Sequence, residues 1–121
     1  MGIEFDGENL WFSCEMGEGK LYYADRSGKT LKTFNGMPEA HGIAWDGAFL
    51  WLVNNGADKI FKVDPTNGKI LGWIRTPGDR TFDCAWVTEE SGRYLWCADW
   101  TDETDPEMAK IFKMKVLTTN R

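Results

Sequence analysis

Few side chains in this sequence could carry acid–base or nucleophilic chemistry. His41 is the only histidine, and imidazole titrates near neutrality, so it is the group best suited to move a proton at physiological pH. A lone loop histidine more often hydrogen-bonds or stands in solvent, and both readings stay open. No serine has a recognisable partnered base, so no nucleophilic triad is expected. Cys14, Cys84 and Cys97 are odd in number and lack C-x-x-C spacing. They are expected to be small reduced core residues, forming neither a disulfide framework nor a zinc site. The segment Asp99-Trp100-Thr101-Asp102-Glu103-Thr104-Asp105-Pro106-Glu107 holds five carboxylates without the alternation and glycine of a calcium loop. A solvated acidic loop is the default; a calcium site or a docking patch for a basic partner are the alternatives. Trp100 within it is either a binding anchor, such as one wall of a sugar or cyclic-ligand site, or a ring packed under the loop.

The elements that must hold these residues are written as a repeat. Gly42-Ile43-Ala44-Trp45-Asp46-Gly47, two spacers and Leu50-Trp51-Leu52-Val53 match Gly2-Ile3-Glu4-Phe5-Asp6-Gly7, two spacers and Leu10-Trp11-Phe12-Ser13. A looser third copy runs through Ala85-Trp86 and Leu95-Trp96-Cys97-Ala98. Trp11, Trp51 and Trp96 are equivalent, and so are Lys20-Leu21-Tyr22, Lys59-Ile60-Phe61 and Lys110-Ile111-Phe112. The steps are 40 and 45 residues, and the longer one is assigned to a wider turn over 87–93. An internal period of this size points to a repeat architecture. The repeats span 2–36, 42–76 and 83–117 of a single domain, 1–121.

In the middle copy, Gly42–Trp45, Phe49–Val53, Lys59–Val63 and Lys69–Ile74 read as four short strands. Asp46-Gly47 and Asp64-Pro65-Thr66-Asn67-Gly68 supply the turns. No window shows capped helical periodicity, so the chain is read as all-β. The first two strands of the copy are apolar on both faces, and Lys59-Ile60-Phe61-Lys62-Val63-Asp64 is wetter. That gradient suits small sheets stacked face to face around an axis. The third copy stops before its last turn and lacks most of a fourth strand.

Composition narrows the partners. The chain has 121 residues, 42% hydrophobic and 14% aromatic, with seven tryptophans and a net charge of −5. It lacks the basic stripe that nucleic acid requires. The acidity also disfavours anionic membrane surfaces and suits a neutral or cationic ligand. No apolar run is long enough for a membrane helix. No signal peptide is recognised, and a cytoplasmic location is the expectation.

The repeat resembles one blade of a β-propeller. It is similar to the six-bladed group of NHL-repeat proteins, streptogramin lyases, gluconolactonase-like proteins and glutamine cyclotransferases, over residues 2–116. The resemblance implies three blades, the last incomplete, and three blades cannot close a ring. A homodimer through blade-on-blade contacts, giving six blades, is the expected remedy. A piece of a longer propeller protein is the second reading, and a β-trefoil is the third. Propeller ligands bind where the axis meets one face, among the loops entering the first strands and leaving the second strands. By position, those loops carry Glu39, His41 and Asp83, and Glu15, Asn54, Asn55 and Asp99, with Trp100 beside them. Cys14, Asn54 and Asp99 are equivalent. Asn54 and Asp99 could hold a divalent cation as in the gluconolactonase-like group, although Cys14 spoils the set; the default is turn chemistry, each side chain bonding its own backbone at a strand end. The leading expectation is a non-catalytic binding module for a small molecule or protein, with no cofactor. The alternative resembles a streptogramin lyase or hydrolase, with His41 as acid or base and Glu39 or Asp83 assisting. A structural fragment of a longer propeller is the third.

Overall fold

The computed structural model describes residues 1–14, 19–101, 104 and 109–121. Strands β1 (Gly2–Phe5), β2 (Leu10–Ser13), β3 (Leu21–Ala24) and β4 (Thr30–Phe34) form one antiparallel meander. β5 (Gly42–Trp45), β6 (Leu50–Asn54), β7 (Lys59–Val63) and β8 (Ile70–Arg75) form a second. β9 (Thr81–Glu89), β10 (Gly92–Asp99) and β11 (Ile111–Met114) form a third, three-stranded sheet. There is no helix among the described residues. These are propeller blades, numbered 1 to 3 in chain order. Each sheet keeps its own strand pairing and none closes into a shared barrel, so the trefoil alternative is not the fold.

The Asp-Gly turns explain why each blade starts so sharply. Gly7 and Gly47 take φ of 96° and 98°, a region open to glycine. The aspartate before each glycine then locks the turn to the next strand. Asp46 Oδ1 accepts the amides of Ala48 and Phe49 at 2.8 and 2.6 Å, and Oδ2 accepts the Trp51 indole N–H at 2.8 Å. Asp6 repeats this with Glu8 and Asn9 and the Trp11 indole, at 2.9, 2.8 and 3.1 Å. One carboxylate therefore satisfies the indole N–H of a tryptophan that is otherwise buried in the core.

Packing runs between blades. The face of blade 1 bearing Trp11 and Leu21 meets Ile43, Leu50, Leu52 and Val63 of blade 2, and Met37 and Ala40 close the cluster. The opposite face of blade 2, with Ala44, Trp51, Val53, Ile60 and Ile74, meets Cys84, Leu95 and Cys97 of blade 3. Blade 2 is thus covered on both sides, and the first four residues of β6 are all buried. A lysine roofs each core tryptophan. Lys62 Nζ lies 5.6 Å from the Trp51 ring, Lys113 at the equivalent site 5.6 Å from Trp96, and Lys32 5.6 Å from Trp11. Each contact contributes on the order of 0.5–1 kcal/mol and leaves its charge in water.

Blade 3 departs from expectation in two ways. The longer repeat is not a wider turn: β9 and β10 extend by pairing Val87 with Tyr94, Thr88 with Arg93 and Glu89 with Gly92, which leaves a tight turn at Glu90-Ser91 beside Gly92 at positive φ. Arg93 reaches from this extension to the Asp46 carbonyl, tying blade 3 to the turn of blade 2. Second, Cys84 and Cys97 are a disulfide, where reduced thiols were expected. They face each other directly across β9 and β10, so pairing needs no chain rearrangement. Cys14 is the free, exposed thiol. As the sequence indicates, the chain after β11 does not turn back as a full fourth strand. Val116 packs on the blade 2–blade 3 core, and Asn120 exchanges both backbone hydrogen bonds with Trp73 of β8, at 2.7 and 2.8 Å. Gly72 makes room for this tail, since a Cβ there would stand 2.9 Å from the Thr119 Cβ.

Three predictions come from these locks. Burial opposes ionisation of Asp6, yet hydrogen bonds from Asn9, Glu8 and Trp11 outweigh it and hold the carboxyl below its ordinary 3.8. A depressed folded pKa stabilises above the unfolded value and loses that contribution as pH falls through the folded one. Asp6→Asn therefore flattens the acid limb of the stability curve below about pH 4, measured by urea unfolding against pH. Asp46→Ala leaves the Trp51 indole unsatisfied and costs about 1–3 kcal/mol at pH 7. Reduction of Cys84–Cys97, or the Cys84→Ala/Cys97→Ala pair, lowers stability by about 3 kcal/mol, the chain-entropy value for a loop near 15 residues. Urea midpoints with and without reductant check it.

Candidate functional site

The innermost strands β1, β5 and β9 lie side by side, and glycine permits it. A Cβ at Gly2 would stand 3.1 Å from the His41 carbonyl and 3.2 Å from Gly42 Cα. At Gly42 it would stand 2.7 Å from Asp83 Cα and 2.8 Å from the Phe82 carbonyl. Any side chain at Gly42 would push blades 2 and 3 apart at the axis. The starts of the three inner strands, and the residues preceding them, are thereby gathered at one end of the central strands. Ser13 fixes this end, donating to the Ala40 carbonyl at 2.8 Å and accepting the Gly2 amide at 3.1 Å.

His41 stands there with its ring 4.7 Å from that of Phe82. Its Nε2 faces Glu39 Oε1 at 3.8 Å, beyond hydrogen-bonding range. Its Nδ1 is buried and has no hydrogen-bond partner among the described residues. Asp83 is the third residue of β9, its carboxyl against Gly42 and its Oδ1 accepting the Cys84 amide at 2.9 Å. Loss of water at this junction pushes the carboxyl above its ordinary value, against the pull of the Cys84 amide and the N-terminal ammonium. A hollow of about 410 Å³ opens beside it, lined by Met1, Ile3, Phe12, Ser13, Cys14 and Asp83. Residues of blades 1 and 3 thus share one space at the axis.

The other expected site residues divide. Asn54 Oδ1 accepts the Ala57 amide at 3.0 Å, and the Asn55 carbonyl accepts the Asp58 amide at 3.3 Å. Both are turn chemistry, and Asp58 takes a φ of 53° within that turn. Asp99 Oδ1 accepts the Thr81 hydroxyl at 2.9 Å and fills the space over Gly78. The oxygens considered for a cation are therefore spent on Ala57 and Thr81. No group of three potential metal-ligating side chains occurs among the described residues. Trp100 is 44% exposed. Its amide binds the Arg80 carbonyl at 2.9 Å and its ring lies 4.7 Å from the Arg80 guanidinium. It is an open ring backed by a cation. Glu15 and most of the acidic loop, Asp102, Glu103, Asp105, Pro106 and Glu107, lie outside the described residues.

Phe82, Arg80 and Ser13 were not singled out from the sequence. Phe82 is the residue equivalent to His41 in the third copy, and the alignment carried that signal. A larger hollow of about 460 Å³ runs along the outer edge of blade 2 under the C-terminal tail, lined by Lys62, Gly72, Trp73 and Thr119. It belongs to the tail contact and is remote from the axial loops.

Solved structures place this arrangement among propellers. The chain is similar to hydrazine synthase of Kuenenia stuttgartiensis, with a TM-score of 0.60 and 26% identity over 81% of this chain and 28% of that one. It is similar also to the β-propeller domain of Cps50 (Swd1) from Myceliophteria thermophila, with a TM-score of 0.55 and 15% identity over 95% of this chain and 38% of that one. The chain thus spans about a third of the length of these structures. No protein-family model and no curated protein matches the sequence.

The raised Asp83 carboxyl yields a signed prediction. A carboxyl whose folded pKa is raised favours folding below its unfolded value, near 3.8, and that contribution is lost as pH rises through the folded pKa. Asp83→Asn therefore raises the thermal midpoint at pH 7, and the gain over wild type vanishes near pH 3. Calorimetry at the two pH values checks it.

Proposed function

We propose that this blade array is a non-catalytic binding module whose ligand enters at the axial end beside His41, Phe82 and Asp83. The observation carrying it is the buried, unpartnered Nδ1 of His41, one residue before Gly42, which packs on the Asp83 carboxyl that lines the axial hollow. A buried polar atom without a partner is costly, and a ligand group supplying the missing hydrogen bond would recover that cost. The Phe82 ring offers an apolar wall, and the net charge of −5 favours a neutral or cationic ligand. Trp100, backed by Arg80, extends the same face for a flat or cyclic group.

The enzymatic alternative, a lyase-like or hydrolase-like propeller, rests on His41 with Glu39 and Asp83. Its supporting observation is the short separation of His41 from Glu39, which a small rotation would close into an orienting hydrogen bond. Binding is favoured because the buried Nδ1 of His41 has no partner among the described residues, which a bound group would supply, while its Nε2 stands 3.8 Å from Glu39, outside hydrogen-bonding range.

The test is an amide-resolved NMR titration with a panel of small neutral and cationic cyclic metabolites. Shifts should concentrate at the amides of His41, Phe82 and Asp83. His41→Ala should weaken binding several-fold without any turnover of the bound compound. Perturbation centred on the outer edge of blade 2, around Trp73 and Lys62, would sink the axial reading. Chemical conversion abolished by His41→Ala would favour the enzyme.

A further inference from the structure

The geometry points to a second copy of this chain as the occupant of both open sheet faces, each copy's blade 3 packing on the other's blade 1 to close a six-bladed ring. This rests on the packing alone and not on the ligand reading.

Equivalent residues inside and at the ends of the array meet opposite fates. Ile43 on blade 2 is 3% exposed, while Ile3, its counterpart on blade 1, is 68% exposed. Ile60 on blade 2 is fully buried, while Ile111, its counterpart on blade 3, is 72% exposed. Trp11 and Trp51 are buried, and Trp96 is only half-buried. The residue types are conserved by the repeat within the chain, and only the neighbouring sheet is missing.

The two open faces are also the two halves of one junction. Blade 2 turns its Ile43, Leu52 and Trp45 face toward blade 1. The same positions on blade 1 are Ile3, Phe12 and Phe5, and Ile3 and Phe5 are exposed. Blade 2 turns its Ala44, Trp51 and Ile60 face toward blade 3. The same positions on blade 3 are Ala85, Trp96 and Ile111, around a shallow hollow of about 220 Å³. One molecule therefore carries a donor face at one end and an acceptor face at the other. The junction between them already occurs twice within the chain, between blades 1 and 2 and between blades 2 and 3. A second copy offers both missing faces at once, so one two-fold operation satisfies both ends. Two sets of three blades give six, inside the range at which propellers close.

The outer edge of blade 3 is not the docking element. Lys110, Lys113 and Lys115 flank and punctuate β11, and lysines on an edge strand oppose strand-to-strand pairing. Closure also completes the axial site. The 410 Å³ hollow is walled by Ile3 and Phe12 on one side, and in the ring that side meets the partner's blade 3. Each ligand site is then finished by the second copy.

The test is light scattering on the 121-residue chain at tens of micromolar. The expected mass is twice 13.8 kDa. Ile3→Glu alone and Ile111→Lys alone should each give a monomer with an unchanged β circular dichroism spectrum. An equimolar mixture of the two variants should return to the dimer. One of its junctions is wild type, and the other sets glutamate against lysine. A folded wild-type monomer overturns the proposal, as does a dimer indifferent to both substitutions. Open-ended larger assemblies overturn closure at two copies. If either variant fails to fold, Ile70→Lys, on the exposed outer strand of blade 2 and so on neither open face, serves as a control that must leave the dimer intact, and Ile111→Ala must weaken it at least tenfold.

Discussion

A four-stranded sheet this small cannot bury two apolar faces by itself, and that constraint organises the whole molecule. Blade 2 meets it: Ala44, Leu50, Leu52 and Val53 are 0% exposed because a neighbouring sheet lies on either side. At about 25 cal/mol per Å² of apolar surface removed from water, each fully covered Leu or Ile contributes roughly 1.5–3 kcal/mol. The same side chains on the terminal blades contribute much less while their outer faces stay wet. Stability in such a stack grows with junctions rather than with residues, as in other repeat proteins.

Close approach at the axis is the second consequence. Sheets that pack face to face and converge on one line must bring their innermost backbones nearly into contact. Gly2 and Gly42 make this possible, and Asp83 occupies the corresponding place in blade 3. There the repeat exchanges a glycine for a carboxylate, which packs against Gly42 of blade 2 and borders the hollow. The axial end therefore combines a tight backbone, an apolar ring at Phe82, and polar atoms of His41 and Asp83 partly withdrawn from water. Such a combination of shape and under-satisfied polarity is common where ligands bind.

The repeat made most of this fold legible. Asp46-Gly47 after Trp45 placed β5 at its observed bounds, and Asp64-Pro65-Thr66-Asn67-Gly68 after Val63 did the same for β7, because glycine at positive φ leaves few other solutions at each turn. The four strands of blade 2 and the missing fourth strand of blade 3 were both readable. What escaped was long-range pairing inside blade 3. Counting outward from Trp86 opposite Leu95 brings Cys84 opposite Cys97, but this needs the hairpin register, and the seven residues 87–93 gave no reason to prefer paired strands over a loop. The path of the tail to Trp73 had even less local signal, since Thr118, Thr119 and Asn120 fit a loose end as well as a bridge.

The candidate site was legible in position and much less so in partners. His41 and Asp83 were found from their places at the starts of inner strands. Asn54 and Asp99 were found by the same rule, yet their oxygens serve turns at Ala57 and Thr81. The difference lies in side-chain length and location. A short Asn or Asp at a strand end reaches its own backbone before it reaches anything else, whereas the imidazole of His41 projects past its backbone and rests on Phe82. A propeller's equivalent positions therefore do not become equivalent ligands. The residues that remain available at the axis are those whose side chains cannot be satisfied locally, and in this chain that selects His41 over Asn54, although both flank the same pair of strands.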